Sequence, residues 1–223
     1  MYQHQLASDV SCPSALGKIV CVGRNYAAHA KELNNPVEGT PLLFLKPATA
    51  AVAMAGEIGI PKGLGSVHHE LELAVLIGKP LTATNAEEAR SAIAGIGLAY
   101  DLTLRDVQDE LKRKGHPWER AKAFDGACPL SEFVSPAGID LQALRLELRR
   151  NGEVQQSGST ADMLFPVLDL IASASEVFTL LPGDVVLTGT PAGVGPLMVG
   201  DQLIAVLADT HGRELLSVAS QVI

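Results

Sequence analysis

The sequence predicts a strand-rich α+β fold, mixed but largely antiparallel, with helices inserted singly. Three observations predict it. Short apolar, β-branched runs recur and are bounded by glycine and proline. Leu144-Arg145-Leu146-Glu147-Leu148-Arg149 alternates strictly and runs into Asn151-Gly152, a hairpin turn pair. Strands and helices do not follow the regular βαβα order of a doubly wound sheet.

Residues 1–17 read as a polar extension and 18–223 as a single domain. Lys18 to Gly23 is a short apolar strand ending in glycine. Arg24 to Leu33, rich in alanine, predicts a helix that Asn25 caps and Asn34-Asn35-Pro36 stops. Thr40 to Pro47 predicts a second strand, and Gly56 to Gly65 a loop or short edge segment. His68 to Gly78 is apolar from Leu71 onward, like a buried strand. Thr84-Asn85-Ala86-Glu87-Glu88 opens a helix that runs to Ile93, with acids in its first turn. Gly95 to Tyr100 is a strand, and Leu102 to Leu111 predicts a helix stopped by Gly115 and Pro117. The alternating strand at Leu144 pairs with one at Val154. Ala161 to Ser175 predicts a helix with Asp162 as cap. Pro182 to Leu187 leads into the glycine-rich Gly189–Gly195, and Gln202–Ala208 and Glu214–Val222 are the last two strands.

Composition narrows the function classes. Of 223 residues 47% are hydrophobic and 19% charged, which suits a well-buried globule. The formal net charge of -8 argues against a nucleic-acid partner. No apolar run approaches the roughly 18 residues that span a bilayer, and the first ten residues lack the pattern of a secretion leader. Cys12, Cys21 and Cys128 show no C-x-x-C spacing, which predicts reduced, buried thiols in a cytoplasmic protein.

Several residue patterns carry chemistry, and each has an ordinary alternative. Glu70 and Glu72, two apart in a strand, point to one face. They are either a solvated strand end or half of a site for a hard cation that offsets their repulsion. His29 and Glu32 share a helix face at i, i+3, as a surface pair or as an imidazole held by a carboxylate. Asp101 ends a strand, as a helix cap or a third carboxylate. Lys122 precedes Ala123-Phe124, as a surface lysine or a buried cation. Gly189-Thr190-Pro191-Ala192-Gly193-Val194-Gly195 is a tight turn or an anion-binding backbone loop, and it is not a Walker loop.

Taken in order, Gly23-Arg24-Asn25-Tyr26 with His29 and Glu32, His69-Glu70-Leu71-Glu72, Tyr100 to Asp106, Lys122-Ala123-Phe124-Asp125 and Gly189 to Gly195 resemble the fumarylacetoacetate hydrolase family. The likeness spans about residues 17–222 and is closest to the small single-domain acylpyruvase branch. The resemblance implies a mixed β-sandwich roll, a homodimer and a catalytic domain at 18–223. It implies Mg2+ or Mn2+ held by Glu70, Glu72 and Asp101, with His68 and His69 supporting the site rather than ligating. Lys122 then steadies negative charge on a substrate oxygen, His29 oriented by Glu32 acts as base, and Arg24, Arg105, Gln108 and Thr190 bind substrate. The activity implied first is hydrolysis of the C–C bond of acylpyruvates, 2,4-dioxo acids such as fumarylpyruvate or acetylpyruvate, to pyruvate and a carboxylic acid through an enolate. The alternatives are oxaloacetate decarboxylation, oxaloacetate keto–enol tautomerisation and isomerisation of a hydroxymuconate-type diacid. Hydrolysis leads because it alone needs a base that activates water.

Overall fold

A computed structural model describes residues 2–32 and 39–223. The expected helix stop at Asn34-Asn35-Pro36 lies outside the described residues. The elements run β1 (Lys18–Gly23), α1 (Ala27–Glu32), β2 (Leu42–Pro47), β3 (Ala51–Ala53), β4 (Gly56–Ile58), β5 (Val67–His69), β6 (Leu71–Ile77), α2 (Ala86–Ala92), β7 (Ile93–Tyr100), β8 (Thr103–Leu104) and α3 (Arg105–Lys114). They continue with α4 (Glu119–Lys122), β9 (Cys128–Leu130), β10 (Arg145–Arg150), β11 (Glu153–Ser159), α5 (Val167–Val177), β12 (Val185–Leu187), β13 (Gly195–Pro196), β14 (Gln202–Ala208) and β15 (Glu214–Val222).

Seven strands form one sheet in the order β2-β1-β12-β6-β7-β9-β3, and five form another, β11-β10-β14-β15-β4. A small third sheet, β13-β5-β8, sits beside them. Most pairs are antiparallel, while β1–β12, β3–β9 and β15–β4 are parallel. The two large sheets share one core. Alternate residues Leu146, Leu148, Leu203, Ala205 and Leu207 of the second sheet meet Leu71, Leu73 and Val75 of β6 in a single apolar cluster. The even-numbered side of β6, Ala74 and Leu76, packs into a second cluster with Cys21, Ala99, Cys128 and Phe133. All of β6 is therefore buried, which explains its near-continuous apolar run. The extension before Lys18 closes that second cluster with Cys12 and Leu16.

Several boundaries differ from expectation. The helix expected from Leu102 starts at Arg105, because Thr103 and Leu104 pair instead with His68 and Val67. Its N-cap position is Leu104, so Asp101 caps nothing. The helix expected from Ala161 starts after Pro166, which holds the cap position; a 3-10 turn fills Thr160–Asp162, and Asp162 is no cap of α5. Asn25 does not cap α1. Its side chain donates to the carbonyls of Thr188 and Phe165 at 2.8 and 3.1 Å and accepts from Phe165 N at 2.7 Å, tying two loops together. The stretch from Gly56, expected as a loop or short edge segment, opens with edge strand β4, in line with that expectation. Asn85 caps α2 as expected, accepting from Glu87 N and Glu88 N.

Candidate active site

The site grows from the paired ends of β6 and β7. Their register sets Leu71 opposite Tyr100 and Glu72 opposite Ala99, and Asp101 N donates to Glu70 O at 2.8 Å. Glu70 occupies the break between β5 and β6, Glu72 lies on the second-cluster side of β6, and Asp101 follows β7 directly. One carboxylate oxygen from each lies within 4.8 Å of the others, and all three residues are buried.

Cations surround this cluster. Lys122, at the end of α4, sets Nζ 2.8 Å from Glu70 Oε2 and 2.7 Å from Asp101 Oδ2. Arg105 donates to the other oxygen of Glu70, and to Gln108 Oε1 at 2.6 Å. Lys46 Nζ, fully buried, stands 2.8 Å from Asp101 Oδ1. Its hydrogen bonds go to the carbonyls of Leu102, Lys122 and Ala127, which leaves Oδ1 without a hydrogen-bond donor. Glu72, which is 1% exposed, accepts from Gly189 N at 2.6 Å.

The two glutamates are driven apart electrostatically. Burial works against ionisation of Glu70, but the charges of Lys122 and then Arg105 prevail and hold its carboxyl well below the usual carboxylate range. Burial, then the charges of Asp101 and Glu70, push the Glu72 carboxyl well above it. A buried carboxyl facing two like charges, beside an undonated Asp101 oxygen, is a donor set that fits a hard divalent cation.

One cleft brings together nine of the ten sequence-derived candidates: Arg24, His29, Glu70, Glu72, Asp101, Arg105, Gln108, Lys122 and Thr190. The tenth, Glu32, stands behind His29, with Oε2 3.2 Å from Nδ1, and also accepts from Gly193 N at 3.1 Å. Phe44 and Trp118 form an apolar wall of the cleft. Thr190 Oγ1 donates to Leu71 O at 2.8 Å and accepts from Gln156 Nε2 at 2.7 Å.

Sequence reasoning missed three residues. Lys112 lines the cleft, and its spacing from Arg105 and Gln108, i+7 and i+4, was the available signal. Lys46 and Gln156 gave none, since a lone lysine or glutamine in a strand is ordinarily solvated.

The family described as fumarylacetoacetate (FAA) hydrolase C-terminal matches residues 18–221. The chain belongs to the fumarylacetoacetate hydrolase family. It lies in that family's small single-domain branch, and its strand-rich α+β architecture is the family fold. It is 52% identical over 213 residues to the oxaloacetate tautomerase YcgM of Escherichia coli (strain K12), covering 95% of this chain and 97% of that one. A crystal structure from Oleispira antarctica, provisionally assigned as a fumarylacetoacetate isomerase/hydrolase, superposes with a TM-score of 0.95 at 60% identity over the whole of both chains. Fumarylpyruvate hydrolase from Pseudomonas aeruginosa, in complex with Mn2+ and pyruvate, has a TM-score of 0.88 at 32% identity, covering 99% of this chain and 94% of that one.

Proposed function

We propose that the chain is a divalent-metal-dependent enzyme that interconverts the keto and enol forms of oxaloacetate, working as a homodimer in the cytoplasm. One observation carries the substrate class. Lys46, Lys122 and Arg105 match the three carboxylates charge for charge, and Lys112 lines the same cleft in addition. With a divalent ion added, such a cleft favours a small dianion over a monoanion. The likeness to an oxaloacetate tautomerase at 52% identity, against 32% for the fumarylpyruvate hydrolase, supports oxaloacetate and moves tautomerisation ahead of hydrolysis.

Glu70, Glu72 and Asp101 would hold Mg2+ or Mn2+, which polarises the 2-oxo group of a chelated 2-oxo acid. The residues do the rest. Glu32 engages His29 Nδ1, so Nε2 is the atom left to carry the proton that leaves C3. Lys122 donates to the oxygen on C2 as negative charge builds there. Lys112, with Arg24 and Arg105, binds the distal carboxylate. Thr190 has committed its hydroxyl proton to Leu71 O, so its backbone N–H is the donor it offers a substrate carboxylate. Phe44 and Trp118 shield the enolate from water. The three free, buried cysteines support a reducing compartment. No helix among the described residues is long and apolar enough to cross a membrane.

The His29–Glu32 pair favours a second reading, hydrolysis of acylpyruvates, since the same imidazole can deprotonate water. One experiment separates the two. Oxaloacetate enol decay, oxaloacetate decarboxylation and acylpyruvate cleavage are followed with Mg2+ and with Mn2+. Tautomerisation should show the highest kcat/KM, and faster cleavage of acetylpyruvate or fumarylpyruvate would overturn it.

A further inference from the structure

Gln156 is the one fully buried residue of β11, an edge strand whose other residues are exposed or half-buried. It lies opposite Leu148 and so points to the core-facing side of its sheet, where its amide meets polar groups instead of apolar ones. Oε1 accepts from Leu71 N at 3.0 Å and lies 2.9 Å from His69 Nδ1, while Nε2 donates to Thr190 Oγ1 at 2.7 Å and Pro191 O at 2.9 Å. The amide orientation is unambiguous, since a backbone N–H can only donate and a carbonyl can only accept. His69 therefore carries its proton on Nδ1, and a directed chain runs from Gln156 Nε2 through Thr190 Oγ1 to Leu71 O. All four hydrogen-bonding positions of the amide are used.

The two groups on Oε1 flank Glu70 in sequence, and the two on Nε2 belong to the glycine-rich loop. We propose that Gln156 is a positioning residue that fixes Glu70 and the Thr190 loop in one register, so that metal ligand and substrate-binding backbone are set together. A second contact supports it. The chain of β11 closes on the same loop so tightly that a Cβ on Gly193 would stand 2.0 Å from Gln155 O. The amide thus works across an interface already at backbone contact. Outer residues that orient metal ligands commonly govern affinity this way.

The inference rests on the metal site proposed above, and the test keeps the two apart. Mn2+ affinity of the purified chain is measured by electron paramagnetic resonance, without substrate, alongside KM and kcat for oxaloacetate. Gln156→Met, which removes all four bonds, should weaken Mn2+ by about 10- to 100-fold. Gln156→Glu keeps the acceptor for Leu71 and His69 but loses the amide donors. It should hold Mn2+ within a few-fold of the parent while KM rises by about tenfold. If Gln156→Met does not fold, Gln156→Glu decides alone, and an unchanged KM overturns the inference. Parent-like Mn2+ affinity in folded Gln156→Met, with only a lowered melting temperature, also overturns it and leaves the metal reading standing. If the parent chain binds no Mn2+, the metal reading falls and this inference with it.

Discussion

Lys122 bridges Glu70 and Asp101 from a side chain only 4% exposed, so its charge is matched inside the protein rather than by water. Removing one partner of a buried ion pair typically costs about 3–5 kcal/mol, because the other charge stays behind. Here two carboxylates stay behind, with Glu72 beside them. Lys122→Met should therefore lower the melting temperature sharply in EDTA and much less in millimolar Mg2+, where a cation replaces part of the lost charge. Differential scanning fluorimetry in both conditions reads this, and equal losses would contradict the charge argument. Lys112 is the converse case: half-buried, 5.6 Å from the Trp118 ring, and facing the cleft rather than the carboxylates. Lys112→Met should raise KM for oxaloacetate by about tenfold, the loss of one charged contact of roughly 1.4 kcal/mol. KM for monoanionic acetylpyruvate should move by less than about twofold. Equal shifts for both substrates would remove Lys112 from the distal-carboxylate site.

The loop Gly189–Gly195 and helix α3 each depend on glycine, for different reasons. Gly193 has φ +97° and leaves no room for a Cβ against the backbone of β11, whereas Gly115, the αL cap of α3 at φ +66°, opens to free space. Gly115→Ala should cost about 1 kcal/mol, the ordinary left-handed penalty. Gly193→Ala should cost about 3 kcal/mol or more, since backbone must move as well, and should release the Glu32 contact to Gly193 N. Denaturant melts of the two variants make the comparison, and equal costs would mean that the loop is not packed as described. The elements also show what the sequence could reveal. β10 and the Asn151-Gly152 hairpin announced themselves by alternation and turn chemistry. The start of α3 did not, because pairing of Thr103 with His68 overrides a locally helical run. Nor did the start of α5, where Pro166 fits the helix entry as well as its first turn. Glu70 and Glu72 stood out because two carboxylates on one face at the start of a buried strand repel each other, whereas Asp101 joined them only through the family resemblance. Lys46 and Gln156 did not stand out, since their roles depend on β2 and β11 lying against distant segments, which no local pattern encodes.

At the scale of the molecule, the three carboxylates sit where β6 and β7 emerge from the middle of the larger sheet, with β5, β8 and the Gly189–Gly195 loop closing over them. A divalent ion bound there would tie the ends of central strands rather than a peripheral loop, so binding should be read by the whole fold. Ligand binding to the native state alone stabilises by about 2.7 kcal/mol at a hundredfold excess over Kd. For a domain of this size that corresponds to roughly 5–10 °C in melting temperature. Mg2+ or Mn2+ should produce such a rise over EDTA and should slow amide exchange at the β6 and β7 ends more than in β14 or β15. Glu70→Gln should abolish both effects, since it removes a ligand charge while leaving the strand pairing intact. A thermal shift that persists in Glu70→Gln, or protection that spreads evenly over both sheets, would place the ion elsewhere. That result would detach the metal from the enolate chemistry, because the cleft that gathers His29, Lys122 and Lys112 is built on the same strand ends.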